Sequence, residues 1–210
     1  MIRCLTQSRS APVVRLATRD RGHAVARWLP LVVLVLAAGC ARTPAARYYL
    51  LDATGTPPVA GERTGPLVGL GPVALPGYLD RPQIVTRSGN HQLKLLPQDR
   101  WAEPFSESFE RLLRARLAEA LPNARVVGMP WKASSTPARR VALQLERLDQ
   151  GPDGSLVLVA RWTVADGDEP VGAQHVSNIA VPAGADTASL VAAHAEAIGR
   201  LAAEIAAALR

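Results

Sequence analysis

The sequence predicts an α+β domain: a mainly antiparallel sheet with two amphipathic helices packed on one of its faces. Three observations support this prediction. Short apolar runs with period-two alternation indicate strands, and two longer segments with apolar residues three and four positions apart indicate helices. Their order along the chain is strands, helix, strands, helix, without the regular βα alternation of a parallel sheet.

Eight strands are predicted, separated by turns rich in glycine, proline and asparagine. In the second strand, Gly69, Gly71 and Pro72 predict a kink or an edge position. The clearest hairpin joins the sixth and seventh strands through Pro152-Asp-Gly. The predicted strands span residues 47–51, 67–75, 83–87, 91–95, 124–128, 140–150, 155–166 and 172–181.

The first helix is predicted over residues 104–121, because Pro104 is tolerated in a first turn and apolar residues recur at helical spacing. The second follows Asp186, a residue suited to capping, and continues to residue 210. The spacing in the second helix predicts a narrow apolar seam formed by Val191, His194, Ile198, Leu201, Ile205 and Ala208.

Positive charge is concentrated at the start of the chain. Residues 1–39 carry six basic side chains and one acidic one, which leaves 18 basic and 17 acidic side chains in residues 40–210. The overall net charge of +6 is therefore mostly a property of the leader. A nearly neutral domain lacks the basic surface that nucleic-acid binding requires, so we expect no nucleic-acid partner.

The leader ends in an apolar run, Leu-Pro-Leu-Val-Val-Leu-Val-Leu-Ala-Ala-Gly-Cys, at residues 29–40. This run is too short to span a membrane but suits the apolar part of a secretory signal. Its last four residues resemble a bacterial lipobox, in which the chain is cut between Gly39 and Cys40 and the cysteine is acylated. An ordinary signal peptide with a chance cysteine is the alternative.

These features predict three parts: a cleaved signal peptide at 1–39, a lipidated tether at 40–46 and a single periplasmic domain at 47–210. Acylated Cys40 would be the anchor. Ala41 follows it rather than the aspartate of the common inner-membrane retention signal, which favours the periplasmic face of the outer membrane over the inner membrane. The remaining cysteine, Cys4, lies in the leader, so the domain must be held by its core without disulfides.

The sequence contains no recognisable catalytic or metal-binding pattern. His91, His175 and His194 are scattered through the sequence, with no zinc-ligand spacing. No Gly-x-Ser-x-Gly motif occurs, and Gly69-Leu-Gly71 is too short for a phosphate-binding loop. We therefore predict a protein that is not an enzyme and has no cofactor or metal site.

One segment carries a family resemblance. Residues 76–85 read Pro-Gly-Tyr-Leu-Asp-Arg-Pro-Gln-Ile-Val, with Tyr-Tyr-Leu-Leu at 48–51 before them and Trp-Ala-Glu-Pro at 101–104 after them. This combination resembles the PqiC-like family of ABC-type transport auxiliary lipoproteins. The resemblance is strong over residues 48–121, whereas the C-terminal half is similar only in its order of elements.

The resemblance implies a lipid-anchored periplasmic subunit of an ABC/MCE-type intermembrane lipid transport system that supports envelope integrity. Its partners would be an MCE-domain periplasmic protein, the inner-membrane permease of that system and the outer-membrane leaflet; a homo-oligomer is a further option. The alternatives are a periplasmic lipid-binding module and an outer-membrane assembly lipoprotein.

The candidate partner-binding residues are Tyr78, Leu79, Asp80, Arg81 and Trp101. Tyrosine, tryptophan and arginine are enriched at interaction hot spots, and a loop can present them to a partner. A structural role is the alternative, in which Asp80 and Arg81 hold a turn, Tyr78 packs over the core and Trp101 anchors the start of a helix.

Overall fold

The predicted order of strands and helices is confirmed by the computed structural model, which describes residues 44–52, 65–131, 136–167 and 169–210. The predicted leader and most of the tether lie outside these residues. Residues 45–210 form one compact unit. The strands are β1 (Arg47–Tyr49), β2 (Leu67–Ala74), β3 (Gln83–Arg87), β4 (Leu93–Trp101), β5 (Arg125–Gly128), β6 (Arg139–Gln150), β7 (Ser155–Asp166) and β8 (Glu169–Pro182), and the helices are α1 (Phe105–Ala120) and α2 (Thr187–Ala208).

Strand β6 organises the sheet. One of its edges forms a long antiparallel ladder with β7, interrupted by a register shift between Leu145 and Arg147, and β7 pairs in turn with β8. Its other edge is shared by two parallel partners: β2 reaches as far as Gln144, and β3 joins only at Gln150. Strand β5 extends the sheet beyond β2, while β4 and β1 extend it beyond β3. The sheet is mixed, and its two longest ladders are antiparallel, as predicted.

Both helices pack on the same face of the sheet and contact each other, which confirms the predicted arrangement. The sheet supplies alternate residues to this core because successive side chains of a strand point to opposite faces. In β7 these residues are Leu156, Leu158, Ala160 and Trp162, and α1 contributes Phe105, Phe109, Leu112, Leu113 and Leu117.

The face that α2 buries is broader than the predicted seam. Asp186 caps the helix as predicted, accepting a hydrogen bond from the Ser189 backbone N–H at 2.9 Å. Several alanines join the larger residues in the core, since α2 contacts both α1 and the sheet. Of the predicted seam, Val191 is only half-buried and Ala208 is exposed.

Two irregularities of the strands have visible causes. The kink option predicted for β2 is correct and the edge option is wrong: the register shifts between Leu70 and Val73, and β2 lies between β5 and β6. Gly71 in this bulge has φ 135°, which favours glycine. Strand β4 is longer than predicted, because it continues through Pro97 in a stretch where its register with β3 shifts.

Within the described residues, neither helix is long and apolar enough to cross a membrane.

Candidate partner-binding segment

The segment between β2 and β3 is held by its own backbone. The Leu79 N–H donates to the Pro76 carbonyl at 3.0 Å, and the Asp80 N–H donates to the Gly77 carbonyl at 3.2 Å. The following proline is tied to the end of β4, because the Trp101 N–H donates to the Pro82 carbonyl at 2.7 Å. The segment is thus a defined connection rather than an unconstrained loop.

Tyr78 points its hydroxyl into the gap between the two parallel partners of β6. The Leu148 backbone N–H donates to the Tyr78 hydroxyl at 3.0 Å, and this hydroxyl donates to Asp149 Oδ2, also at 3.0 Å. A buried N–H without a partner is costly, so the tyrosine completes a hydrogen bond that neither strand provides. The half-buried ring packs against the core.

Asp149 is fully buried and is the shared acceptor of a cluster that consists of Tyr78, Arg87, Arg147 and Asp149. Arg87 donates two hydrogen bonds to the Asp149 carboxylate, from Nε to Oδ1 and from Nη2 to Oδ2, both at 2.9 Å. Arg147 Nε adds a third at 3.0 Å to Oδ1. Burial by itself would raise the pKa of Asp149, but the hydrogen bonds from Arg87, Tyr78 and Arg147 outweigh it and lower that pKa. The carboxylate therefore stays charged inside the fold.

The same cluster determines the protonation state of the Tyr78 hydroxyl. Burial, reinforced by the charge of Asp149, raises the pKa of the Tyr78 hydroxyl to about 12, although the Leu148 N–H opposes the shift. The phenol is therefore a neutral donor and acceptor at neutral pH, as its two hydrogen bonds require.

Trp101 and Leu79 are buried, with 6% and 5% of their surfaces exposed. The Trp101 ring lies 5.0 Å from the ring of Phe105 and 5.5 Å, edge to face, from the imidazole of His194. Trp101 thus anchors the β4–α1 corner to α2. Burial lowers the pKa of His194 to about 4, against the opposing effect of the Leu190 carbonyl, which lies 2.8 Å from Nδ1.

Asp80 and Arg81 are exposed at the tip of the segment. The five candidate residues consequently divide by position: Leu79 and Trp101 face the core, Tyr78 completes a buried network, and the charged pair faces solvent. A partner that reached this segment would meet Asp80 and Arg81 first.

A second polar cluster lies at the outer strand of the sheet. The exposed His175 stacks on Trp162 with ring centroids 4.1 Å apart, and Trp162 Nε1 donates to the Ser177 hydroxyl at 2.9 Å. That hydroxyl donates in turn to Glu204 of α2. The buried serine is held between the Trp162 donor and the Glu204 acceptor, so the cluster fastens α2 to β8.

Metal ligation finds no support in the described part of the chain, where no group of three or more His, Cys, Asp and Glu side chains converges.

A family model supplies the identification that the geometry alone does not. The model of the ABC-type transport auxiliary lipoprotein component matches residues 48–206, nearly the whole described domain. The chain belongs to this family. The predicted resemblance is confirmed, and it extends through the C-terminal half, where the sequence alone showed only an order of elements.

Solved structures share the fold of this auxiliary lipoprotein. The crystal structure of an uncharacterized protein superposes with a TM-score of 0.66 at 18% identity, covering 79% of this chain and 99% of that one. A protein from Xanthomonas campestris gives a TM-score of 0.60 at 20% identity, covering 77% and 93%. At these identities the likeness concerns the fold alone. No curated protein matches the chain.

Three residues of the auxiliary lipoprotein, the half-buried Arg87 and the buried Asp149 and His194, were not singled out from the sequence. Arg87 and Asp149 were assigned to ordinary strand positions, and His194 to the apolar seam of a helix. A signal for Asp149 exists, because the apolar positions of β6 change parity between Leu145 and Leu148, and a register shift occurs there. That shift marks an irregular stretch, although it does not identify Tyr78 as the side chain that completes it. Gly39 and Cys40 lie outside the described residues.

Proposed function

We propose that this auxiliary lipoprotein is held at the periplasmic face of the outer membrane by an acylated Cys40. There it docks the MCE-domain component of an ABC/MCE-type intermembrane lipid transport system, supporting envelope integrity without catalysing a reaction. The observation that carries the proposal is the family match over residues 48–206. The lipobox-like sequence at residues 37–40 supports the anchor.

The length of the tether supports a position close to the leaflet. Strand β1 begins at Arg47, so residues 41–46 separate Cys40 from the sheet. Six residues span about 20 Å at full extension. A single acyl chain gives only marginal membrane binding, whereas a multiply acylated cysteine would hold the domain stably without a spanning helix.

The anchor is tested by Cys40→Ser, with Cys4→Ser as the matched control. Wild-type chain and the Cys4 variant should incorporate an alkyne-labelled palmitate and sediment with the outer membrane. The Cys40 variant should take up no label and should keep its leader. A Cys40→Ser chain that is cleaved and recovered in the outer-membrane fraction like the wild type would remove the lipid anchor from the proposal.

The partner surface is tested at the exposed tip of the segment between β2 and β3. Asp80→Ala combined with Arg81→Ala removes one charge of each sign without touching the core. If the tip contributes a hot spot, recovery of the MCE protein with the affinity-tagged chain should fall about tenfold or more. The matched control is Glu196→Ala with Arg200→Ala, an exposed ion pair on α2. If the Asp80–Arg81 double variant and the control both recover as much MCE protein as the wild type, Asp80 and Arg81 are excluded from the interface.

A further inference from the structure

A cavity of about 370 Å³ opens where the two helices end. We call it the helix-end pocket. Leu121 and Leu209, the residues that follow α1 and α2, form part of its wall. Among the described residues, the first residues of β2 and β6 and the last residue of β7 also line it. Ala124 and Ala138 contribute small side chains to the lining.

Local geometry keeps this space from collapsing. The Arg125 N–H donates to the Pro66 carbonyl at 3.0 Å, and the Ala138 N–H donates to the Leu67 carbonyl at 3.1 Å, so the strand starts are fixed around the opening. The small side chains of Ala124 and Ala138 do not fill it. The pocket is open to solvent on one side, and its volume lies within the range of about 300–1,000 Å³ that is common for ligand sites.

The mouth of the pocket carries one charge of each sign. Arg139 and Asp166 occupy paired positions at the ends of β6 and β7, and both are exposed. Arg139 Nη1 donates to the Leu209 carbonyl at 2.6 Å. This bond uses one of the five donors of a guanidinium and fixes the group beside the opening. An apolar interior with a paired cation and anion at its rim complements an amphiphile whose head group is zwitterionic.

We propose that the helix-end pocket binds one acyl chain of a zwitterionic phospholipid of the lyso type. Its phosphate would lie against Arg139 and its ammonium group against Asp166. The volume stands near the low end of the ligand-site range, which favours one chain over two. The inference rests on the proposed function, because a subunit of a lipid transporter works beside lipids, and it gives this subunit a direct contact with them.

Binding is measured on residues 41–210, since residues 45–210 form one compact unit with a core of their own. The reporter is cis-parinaric acid, a fatty acid that fluoresces on entering an apolar site. Unlabelled lysophosphatidylethanolamine and lysophosphatidic acid of equal chain length are the competitors, both below their micelle concentrations. Circular dichroism and a thermal melt establish that each variant is folded.

Ala124→Phe fills the pocket, and Ala203→Phe places the same side chain on the exposed surface of α2 as a control. We expect saturable reporter binding that weakens about tenfold or more in the first variant and changes by less than about twofold in the second. An absence of saturable binding in the wild type, or equal affinity in a folded Ala124→Phe variant, would overturn the proposal.

Asp166→Asn and Arg139→Gln test which head group is bound. They alter only exposed side chains, so they also test the whole proposal if Ala124→Phe does not fold. Wild type should be displaced by lysophosphatidylethanolamine at about a fivefold lower concentration than by lysophosphatidic acid. Asp166→Asn should abolish this preference, and Arg139→Gln should weaken both competitors. Identical competition curves for wild type and both charge variants would contradict the assigned site.

This experiment is independent of the docking experiment. Lipid binding by a chain that fails to recover the MCE protein would leave the pocket intact and remove the partner. Recovery of the MCE protein by a chain that binds no lipid would keep the partner and remove the lipid site.

Discussion

Two buried ionisable groups, Asp149 and His194, lie beside two of the candidate partner-binding residues, and the fold treats these groups in opposite ways. Asp149, next to Tyr78, is fully buried and keeps its charge. His194, next to Trp101, is 2% exposed and is held neutral, with its pKa lowered to about 4. Burial opposes the charged form in both cases, so burial alone does not decide the outcome.

The difference lies in the donors and acceptors that reach each group. Asp149 receives guanidinium groups from Arg87 and Arg147 and the hydroxyl of Tyr78. His194 has the Leu190 carbonyl at Nδ1, with the edges of Trp101 and Phe105 around its ring. Asp149 keeps its charge because two guanidinium groups reach it, one from β3 and one from its own strand, whereas the partner at His194 Nδ1 is a neutral carbonyl. The retained charge of Asp149 and the neutral ring of His194 each give a testable prediction, and the two groups are coupled, because the charge of Asp149 opposes the lowering of the His194 pKa.

The largest effect is expected when Asp149 is replaced. Asp149→Ala leaves Arg87 and Tyr78 without their shared acceptor and should lower the free energy of unfolding by about 3–5 kcal/mol, the usual cost of breaking a buried ion pair. Urea denaturation at pH 7 measures this loss. It would show that the side-chain network, rather than strand pairing alone, holds β3 to β6, which share a single register pair.

The control for this prediction is Glu146→Ala on the same strand. Glu146 forms an ion pair with Arg161, and both side chains are partly exposed. Exposed pairs contribute about 0–1 kcal/mol, so the control should lose much less stability than Asp149→Ala. Similar losses in the two variants would show that Asp149 is not a critical charge.

The His194 region should respond to pH. The pKa of His194 falls from its ordinary value near 6.5 to about 4 on folding, so the folded state binds the proton less well than the unfolded state. This contribution to stability is complete above pH 6.5 and is lost as the pH falls through about 4. The loss should be on the order of 3 kcal/mol.

Urea denaturation at intervals between pH 7 and pH 4 tests the His194 prediction. His194→Phe keeps an aromatic ring beside Trp101 and removes the titrating group, so it should lose most of the pH slope. His91→Phe removes an exposed imidazole and should keep the slope, because His194 is intact. A slope that persists in His194→Phe would assign the acid sensitivity to other groups.

The two regions also show what the sequence can and cannot predict. The strands and helices were predicted well, because their apolar periodicities are local and each period has a distinct spacing. Trp101 was predicted as a candidate partner-binding residue, with a helix-start anchor as the alternative; its buried position fits the alternative. The partners of Tyr78 were not predicted, since Asp149 is 71 positions away and nothing local indicates that they meet.

Irregular positions account for most of the other differences. Strand β4 passes through Pro97, where the usual propensity predicts an end. The breadth of the buried face of α2 depends on α1 packing beside it, and periodicity within α2 contains no information about that neighbour. The helix-end pocket likewise joins residues of β2, β6 and β7 with the residues that follow the two helices, and the charges at its mouth become neighbours only through the pairing of β6 with β7.

The smallest of these effects is expected for Tyr78→Phe. The variant keeps the ring and removes the hydroxyl, leaving the Leu148 N–H unsatisfied while Arg87 and Arg147 still hold Asp149. A loss of about 1–3 kcal/mol in the free energy of unfolding at pH 8 is expected, the cost of one unsatisfied buried group. Tyr48→Phe is the control, because that ring is 64% exposed and its loss of a hydroxyl should change little.

Alkaline pH identifies the hydroxyl more specifically. The pKa of Tyr78 rises from 10 to about 12 on folding, so its contribution is complete below pH 10 and is lost as the pH rises through about 12. The gap in unfolding midpoint between wild type and Tyr78→Phe should therefore narrow from pH 10 to pH 11.5. A constant gap would contradict the buried hydrogen bonds.

If a fully folded Tyr78→Phe chain nonetheless recovered less MCE protein, the hydroxyl would have to contact the partner, and the division between a buried Tyr78 and an exposed Asp80–Arg81 tip would be wrong.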